Sequence, residues 1–145
     1  MDDIQLREGT AIDACALVDL YTSVGWTLYA ADADALVRAI DNSSYVVSAW
    51  AGDQLVGLAR MLSDDVSVAY LQDILVRPEL HGRGVGSRLA ERCLARYQHV
   101  RQKVLLTDDR PDQIAFYTKL GYANLRETSR PKLNAFVRIE GVTFE

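Results

Sequence analysis

Residues 76–87 read Val-Arg-Pro-Glu-Leu-His-Gly-Arg-Gly-Val-Gly-Ser, and this stretch is the most informative part of the sequence. It follows an apolar, strand-like run, and Gly82, Gly84 and Gly86 lead into an amphipathic helical pattern. Glycines before a helix let the backbone approach a ligand, and the free N–H groups of the first helical turn favour anions. The stretch therefore predicts a site for a phosphate-bearing ligand. The alternative is a purely conformational role, at a cost of about 0.5–1 kcal/mol per glycine relative to alanine.

Two common phosphate-binding motifs are missing from this stretch. The P-loop pattern GxxxxGK[ST] does not occur in the sequence. The dinucleotide fingerprint GxGxxG fails as well, because its third glycine would fall on Ser87 or on Leu89. The loop over residues 77–81 is also too long for that fold. A P-loop enzyme is excluded, and a nicotinamide-binding fold is disfavoured.

The chain shows no internal repeat, linker or charge block, so we expect one domain over residues 1–145. Its first third is helical in pattern. A capping box formed by Thr10 and Asp13 predicts the start of a helix that ends at Gly25. Asp32 is positioned to cap a second, shorter helix.

The middle third has the period of strands. Gly52-Asp53 separates two strand-like runs and predicts a hairpin. After a turn at residues 63–65, residues 66–76 read as one long strand. Its apolar alternation slips at Leu71, which either a β-bulge or a buried Asp73 would explain.

The last third alternates between helix and strand. Helices are predicted over residues 84–97 and 111–121, with a strand over 103–107 between them. A meander followed by a βαβ crossover implies a mixed sheet covered by helices. The predicted fold class is therefore α/β.

Two motifs in these elements resemble the GCN5-related N-acetyltransferase (GNAT) superfamily. His81-x-x-Gly84-x-Gly86 behind Val76-Arg77-Pro78 is similar to its pyrophosphate loop. Tyr117 followed by Gly121-Tyr122 is similar to a second, helix-ending pattern. The resemblance implies the acyl-CoA N-acyltransferase fold. That fold is a mixed, mostly antiparallel sheet, splayed between its fourth and fifth strands and flanked by about four helices.

The resemblance implies acetyl-CoA as co-substrate, with no metal. Its pyrophosphate would be held by one loop, formed by His81, Gly82, Arg83, Gly84, Val85, Gly86 and Ser87. The pantetheine arm would pair with the backbone of Ile74, Leu75 and Val76. The sequence departs from the family pattern at His81, where Gln or Arg is usual. It departs again at Arg110, where many members carry an Asn that contacts the arm.

The resemblance also suggests catalytic residues. Tyr117 would protonate the departing thiolate, unless it is only a core aromatic. Asp73 is a candidate base, or else the buried ionic partner of Arg60. Gln72 stands where related polyamine acetyltransferases carry Glu, and a water chain could deprotonate the amine with no dedicated residue.

The acceptor is predicted to be the primary amine of a small molecule, with Trp26, Tyr29 and Tyr45 lining its cleft, unless these aromatics are core residues. Acetyl transfer by direct attack in a ternary complex is the expected reaction. A protein lysine or N-terminal acetyltransferase is one alternative, and a non-catalytic CoA-binding regulatory module is another. A net charge of −4 and the absence of a signal-peptide or membrane-spanning pattern predict a cytoplasmic protein that binds neither nucleic acid nor membrane. A homodimer is compatible with this prediction.

Overall fold

The structure, a computed structural model, describes residues 3–145 and contains five strands and five α-helices in that range. In chain order they are β1 (Ile4–Glu8), α1 (Ala14–Ser23), α2 (Thr27–Ala30), α3 (Ala33–Asp41), β2 (Tyr45–Ala51), β3 (Gln54–Ser63), β4 (Val68–Val76), α4 (Val85–Arg96), β5 (Gln102–Leu105) and α5 (Pro111–Lys119). These elements form two compact units, one ending at Leu106 and the other Thr107–Glu145. None of the helices within residues 3–145 has the length and apolar composition of a transmembrane span. The single-domain expectation stays a prediction.

One mixed sheet contains all five strands in sequence order. The first three neighbouring pairs are antiparallel, and β4 and β5 are parallel. The parallel pairing joins Val68–Leu71 to Gln102–Leu105, whereas β4 continues to Val76. Residues 72–76 therefore have β3 on one side and no strand pairing on the other within the described chain. The predicted splay between the fourth and fifth strands is confirmed.

A β-bulge interrupts β4 where the splay begins. Arg60 pairs with Asp73 and Met61 pairs with Leu71, so Gln72 is an extra residue. Leu71 shares its face of the sheet with Met61, and Asp73 shares the opposite face with Arg60. Both explanations of the slipped alternation therefore hold, because a bulge is present and Asp73 is buried.

The two faces of the sheet are covered by different helices. α1 and α3 pack on one face, where Leu17, Leu36, Leu58 and Leu75 belong to a common core cluster. α4 packs on the other face, against β2, β3 and β4. A side chain at Gly57 would lie 3.1 Å from Leu89 Cδ1 and 3.2 Å from the carbonyl oxygen of Leu75. The missing side chain at Gly57 therefore lets Leu89 of α4 pack closely on β3, beside the end of β4.

The ends of several elements differ from the sequence expectations. α1 begins after Asp13, whose carboxylate accepts a hydrogen bond from the Ala16 N–H at 3.2 Å, so the predicted cap at Thr10 is wrong. Asp32 caps α3 as predicted, accepting from the Ala35 N–H at 3.0 Å. β5 ends at Leu105, two residues before the predicted limit, because its pairing with β4 ends there.

Candidate active site

The loop after β4 presents an open stretch of backbone. Gly82 and Gly84 have φ angles of +80° and +79°, and an added Cβ at either would have no neighbour within 4 Å. The Nε2 atom of His81 donates to the carbonyl oxygen of Val76 at 2.8 Å and closes the loop onto the strand end. The positive φ angles favour glycine over other residues at both positions. The open space beside them leaves room for a ligand.

The start of α4 directly follows this loop. Gly84 is the N-cap residue and makes no side-chain hydrogen bond, so the first-turn N–H groups lack a side-chain cap. Val85 is buried and anchors the helix, whereas Arg83 is exposed and Gly86 and Ser87 are half-buried. Open glycines and uncapped donors together fit a phosphate group.

Arg77 fixes the corner between β4 and the loop. Its side chain is only 9% exposed, and its Nε donates to the carbonyl oxygen of Leu55 at 2.8 Å. The guanidinium also forms an ion pair with Asp19 of α1. Arg77 therefore ties the end of β4 to both β3 and α1, which keeps the loop in a fixed position.

The unpaired edge of β4 carries the three residues predicted to hold the pantetheine arm. Leu75 and Val76 are buried, and Ile74 is half-buried. On the β3 side, Ile74 pairs with Ala59, Leu75 with Leu58 and Val76 with Gly57. The edge facing away from β3 is open to an added strand-like ligand.

Asp73 lies in a buried hydrogen-bonded cluster. Its Oδ2 accepts from Arg60 Nε at 2.6 Å and from the Tyr21 hydroxyl at 2.9 Å. The Arg60 guanidinium also donates to Ser43 Oγ at 3.3 Å and to the carbonyl oxygen of Ala39 at 3.5 Å. Burial and the Asp73 carboxylate raise the pKa of Tyr21, so its phenol keeps the proton that it donates. The ion pair with Arg60 is present, and a role as base stays a prediction.

Replacing Asp73 with Asn should destabilise the fold. Asp73→Asn leaves the buried Arg60 guanidinium without its counterion, which should lower the free energy of unfolding by about 3–5 kcal/mol. Denaturant melts measure this loss, with Asp53→Asn as the control because Asp53 is exposed in the β2–β3 turn. Equal stability of the two variants would show that the Arg60–Asp73 pair does not hold the sheet together.

Two of the three predicted acceptor aromatics lie together. Trp26 and Tyr29 have ring centroids 6.4 Å apart, and each ring also packs against Tyr21, at 5.9 and 5.8 Å. Tyr45 lies apart from them. Its hydroxyl donates to Glu8 at 2.8 Å, and its ring packs edge-on against Tyr97, 6.1 Å away.

The second unit carries the candidate acid. Tyr117 is buried on α5, with its ring edge-on to Phe116 at 5.0 Å and to Tyr122 at 6.0 Å. Burial, with a smaller effect of Tyr122, raises the pKa of Tyr117 to about 12. Its phenol is therefore protonated throughout the neutral range, as a proton donor must be.

Arg110 directly precedes α5 in the same unit. Its guanidinium is exposed and donates to both carboxylate oxygens of Asp112, at 3.1 and 2.5 Å. The predicted contact with the pantetheine arm would compete with this pair. No group of His, Cys, Asp and Glu side chains suited to a metal ion occurs within residues 3–145.

The sequence profile of the acetyltransferase (GNAT) family matches residues 13–122, which include the glycine loop and the Tyr117 motif. The chain belongs to this family. GNAT enzymes use acetyl-CoA as co-substrate, and the chain is an N-acetyltransferase. The resemblance expected from the two sequence motifs is confirmed.

Individual relatives agree with the family assignment. An uncharacterized N-acetyltransferase, ycf52, of Pyropia yezoensis is 29% identical over 124 residues, covering 83% of this chain and 70% of that one. Serotonin N-acetyltransferase 2 of Oryza sativa, a chloroplastic protein, is 30% identical over 124 residues, covering 81% and 60%. A solved GNAT acetyltransferase of Streptococcus pneumoniae superposes with a TM-score of 0.81 at 25% identity, covering 97% and 100%.

Sequence reasoning missed two residues that shape the site. Tyr21 matches the apolar face of α1 and reads as an ordinary core residue, yet its hydroxyl bonds Asp73. In the sequence, Arg77 is only one residue of the motif Val76-Arg77-Pro78. Nothing in the sequence around it indicates that its guanidinium is buried. The sequence did indicate a buried carboxylate at Asp73, and a buried carboxylate needs hydrogen-bond donors. A tyrosine such as Tyr21 could have been considered as one of them.

Proposed function

We propose that the chain transfers the acetyl group of acetyl-CoA to the primary amine of a small molecule, by direct attack in a ternary complex. The observation that carries this proposal is the open glycine loop at the end of the unpaired edge of β4. A pyrophosphate at the loop and a pantetheine arm along residues 74–76 would extend the ligand from the start of α4 towards the bulge.

The binding of acetyl-CoA would use mostly backbone groups. The N–H groups of Val85, Gly86 and Ser87 would donate to the pyrophosphate, where the helix dipole also favours anions. The loop residues Gly82 to Gly84 would complete the contact. Because Arg110 is held by Asp112, its contact with the arm would require that pair to open.

The reaction forms one bond and breaks one. The neutral amine attacks the thioester carbonyl, a C–N bond forms, and the C–S bond then breaks. A backbone N–H near Leu75 would stabilise the oxyanion of the tetrahedral intermediate. Tyr117 would donate its phenolic proton to the departing thiolate and then be reprotonated from solvent.

We infer that Asp73 anchors the site and that water takes the amine proton. Both hydrogen bonds to Asp73 end on the same oxygen, Oδ2, and come from Arg60 and Tyr21. A base in that position would have to disrupt a buried ion pair when it takes up a proton. If Asp73 has this structural role, Asp73→Asn should lower mainly the stability of the fold.

The acceptor is proposed to be a small molecule that packs on Trp26 and Tyr29. Trp26 is half-buried and Tyr29 is 38% exposed, so both rings keep a surface for a ligand. The name of the rice relative, an enzyme for serotonin, is compatible with an acceptor of this size. A homodimer and a cytoplasmic location stay predictions from the sequence.

The proposal is tested by measuring thiol release from acetyl-CoA against a panel of amines, with mass spectrometry of the products. Acetylation of small primary amines supports it. Acetylation of peptide lysines or N-termini alone would favour a protein acetyltransferase. Tight CoA binding without acetylation of any amine or peptide would indicate a regulatory module.

Tyr29→Ala should raise the KM for the acceptor and leave the KM for acetyl-CoA unchanged. The ring is partly exposed and makes no hydrogen bond within the described residues, so the variant should remain folded. Loss of one ring contact predicts a rise of about two- to tenfold. Leu28→Ala on the same short helix is the control, since Leu28 is 89% exposed. An unchanged acceptor KM would show that Tyr29 of α2 does not contact the acceptor.

A further inference from the structure

Tyr70 lies on the same face of the sheet as Asp73 because of the bulge at Gln72. In a regular strand, residues three apart point to opposite faces. Here Tyr70 pairs with Leu62 and Asp73 pairs with Arg60, and these two partners are two residues apart in a part of β3 that has no bulge. The bulge therefore directs the Tyr70 side chain to the face covered by α1 and α3.

The surroundings of Tyr70 agree with this position. Asp73, on the same face as Tyr70, accepts a hydrogen bond from Tyr21, whose ring packs against both Trp26 and Tyr29. Burial, with smaller effects of Tyr29 and Asp73, also raises the pKa of Tyr70, so its phenol stays neutral. The ring is half-buried. The hydroxyl groups of Tyr70 and Tyr29 make no hydrogen bond within residues 3–145, whereas that of Tyr21 is bonded to Asp73.

Tyr70 is also close to the point where β4 and β5 separate. It pairs with Val104, one position before the last pair, Leu71 and Leu105. The next residue, Gln72, begins the unpaired edge. A ligand that reaches a thioester at this edge from the side of α2 would pass the Tyr70 ring.

We propose that Tyr70 is a further acceptor-contacting residue, which together with Trp26 and Tyr29 selects an amine whose organic part carries an aromatic ring. The inference rests on the proposed function and names its substrate class. Aromatic rings favour one another in edge-on or offset contacts beyond their simple burial. Asp73, the carboxylate beside Tyr70, is paired with Arg60, so it is not available for the second ammonium group of a polyamine.

The test compares 2-phenylethylamine with n-hexylamine as acceptors for the wild type, Tyr70→Leu and Tyr70→Phe. The wild type should prefer 2-phenylethylamine. Tyr70→Leu keeps apolar bulk but loses the ring, and should raise the KM for 2-phenylethylamine about two- to tenfold with an unchanged KM for acetyl-CoA. Tyr70→Phe keeps the ring and should retain the preference. Leu62→Ala, at the cross-strand neighbour, controls for disturbance of the strand, and thermal melts confirm folding.

The outcomes separate the inference from the proposed function. If the wild type acetylates amines but Tyr70→Leu and wild type have the same KM and the same preference, the inference is wrong and the proposed function stands. An equal rise of KM in Leu62→Ala would also overturn it, because the effect would then belong to the strand. If the wild type acetylates no amine, the proposed function fails, and the acceptor role of Tyr70 fails with it.

Discussion

Gly86→Glu is expected to weaken CoA binding strongly and leave a folded protein. Gly86 lies in the first turn of α4, where we propose that N–H groups donate to the pyrophosphate. A glutamate there brings a negative charge and a side chain into the anion site. Charge-assisted hydrogen bonds contribute about 1.5–3 kcal/mol each, so losing two of them lowers the affinity by about 10²–10⁴-fold. Isothermal titration calorimetry with CoA measures the change.

The matched control is Ala95→Glu. Ala95 is exposed on the same helix, about three turns after the loop, so the variant carries the same added charge away from the proposed site. Its CoA affinity should stay close to that of the wild type. An unchanged affinity in a folded Gly86→Glu variant would show that the pyrophosphate binds elsewhere.

Tyr117→Phe is expected to lower kcat by about 10²–10⁴-fold, the usual contribution of a positioned proton donor. The substitution keeps the buried ring and its contacts with Phe116 and Tyr122, and removes only the hydroxyl. Because the pKa of Tyr117 is raised to about 12, its deprotonation should not reduce kcat of the wild type below about pH 11. Steady-state kinetics over a pH series measure both effects.

Tyr97→Phe is the control for this change, since Tyr97 is a buried tyrosine that packs against Tyr45. It should keep kcat near the wild-type value. A Tyr117→Phe variant with unchanged kcat, under conditions where the chemical step limits turnover, would leave Tyr117 as a packing residue. Another donor would then have to protonate the thiolate.

The sequence predicts the elements that are defined by local chemistry. The Gly52-Asp53 hairpin and the Asp32 cap depend on neighbours in the chain, and both are present. The glycine loop was predicted for the same reason, because positive φ at Gly82 and Gly84 is a property of those residues themselves. The splay between β4 and β5 was predicted only from the family resemblance, because no local sequence pattern encodes it.

The sequence does not predict features that depend on tertiary contacts. Whether Asp73 pairs with Arg60 depends on the register of β3 and β4, which the bulge at Gln72 sets. The same bulge puts Tyr70 on the face of the sheet that Asp73 occupies. Strict alternation along β4 would put these two side chains on opposite faces. The helix α2 is a single turn of four residues, too short for a helical period to be recognised.

Acetyl transfer to an amine nitrogen is tested most directly by counting products in one reaction. Purified protein is mixed with acetyl-CoA and 2-phenylethylamine, and the released thiol and the N-acetylated amine are quantified in the same sample. The proposed function predicts equal amounts of the two products, with no thiol release when the amine is omitted. Thiol release without an acetylated product, or CoA binding with no release in the presence of any amine, would contradict it.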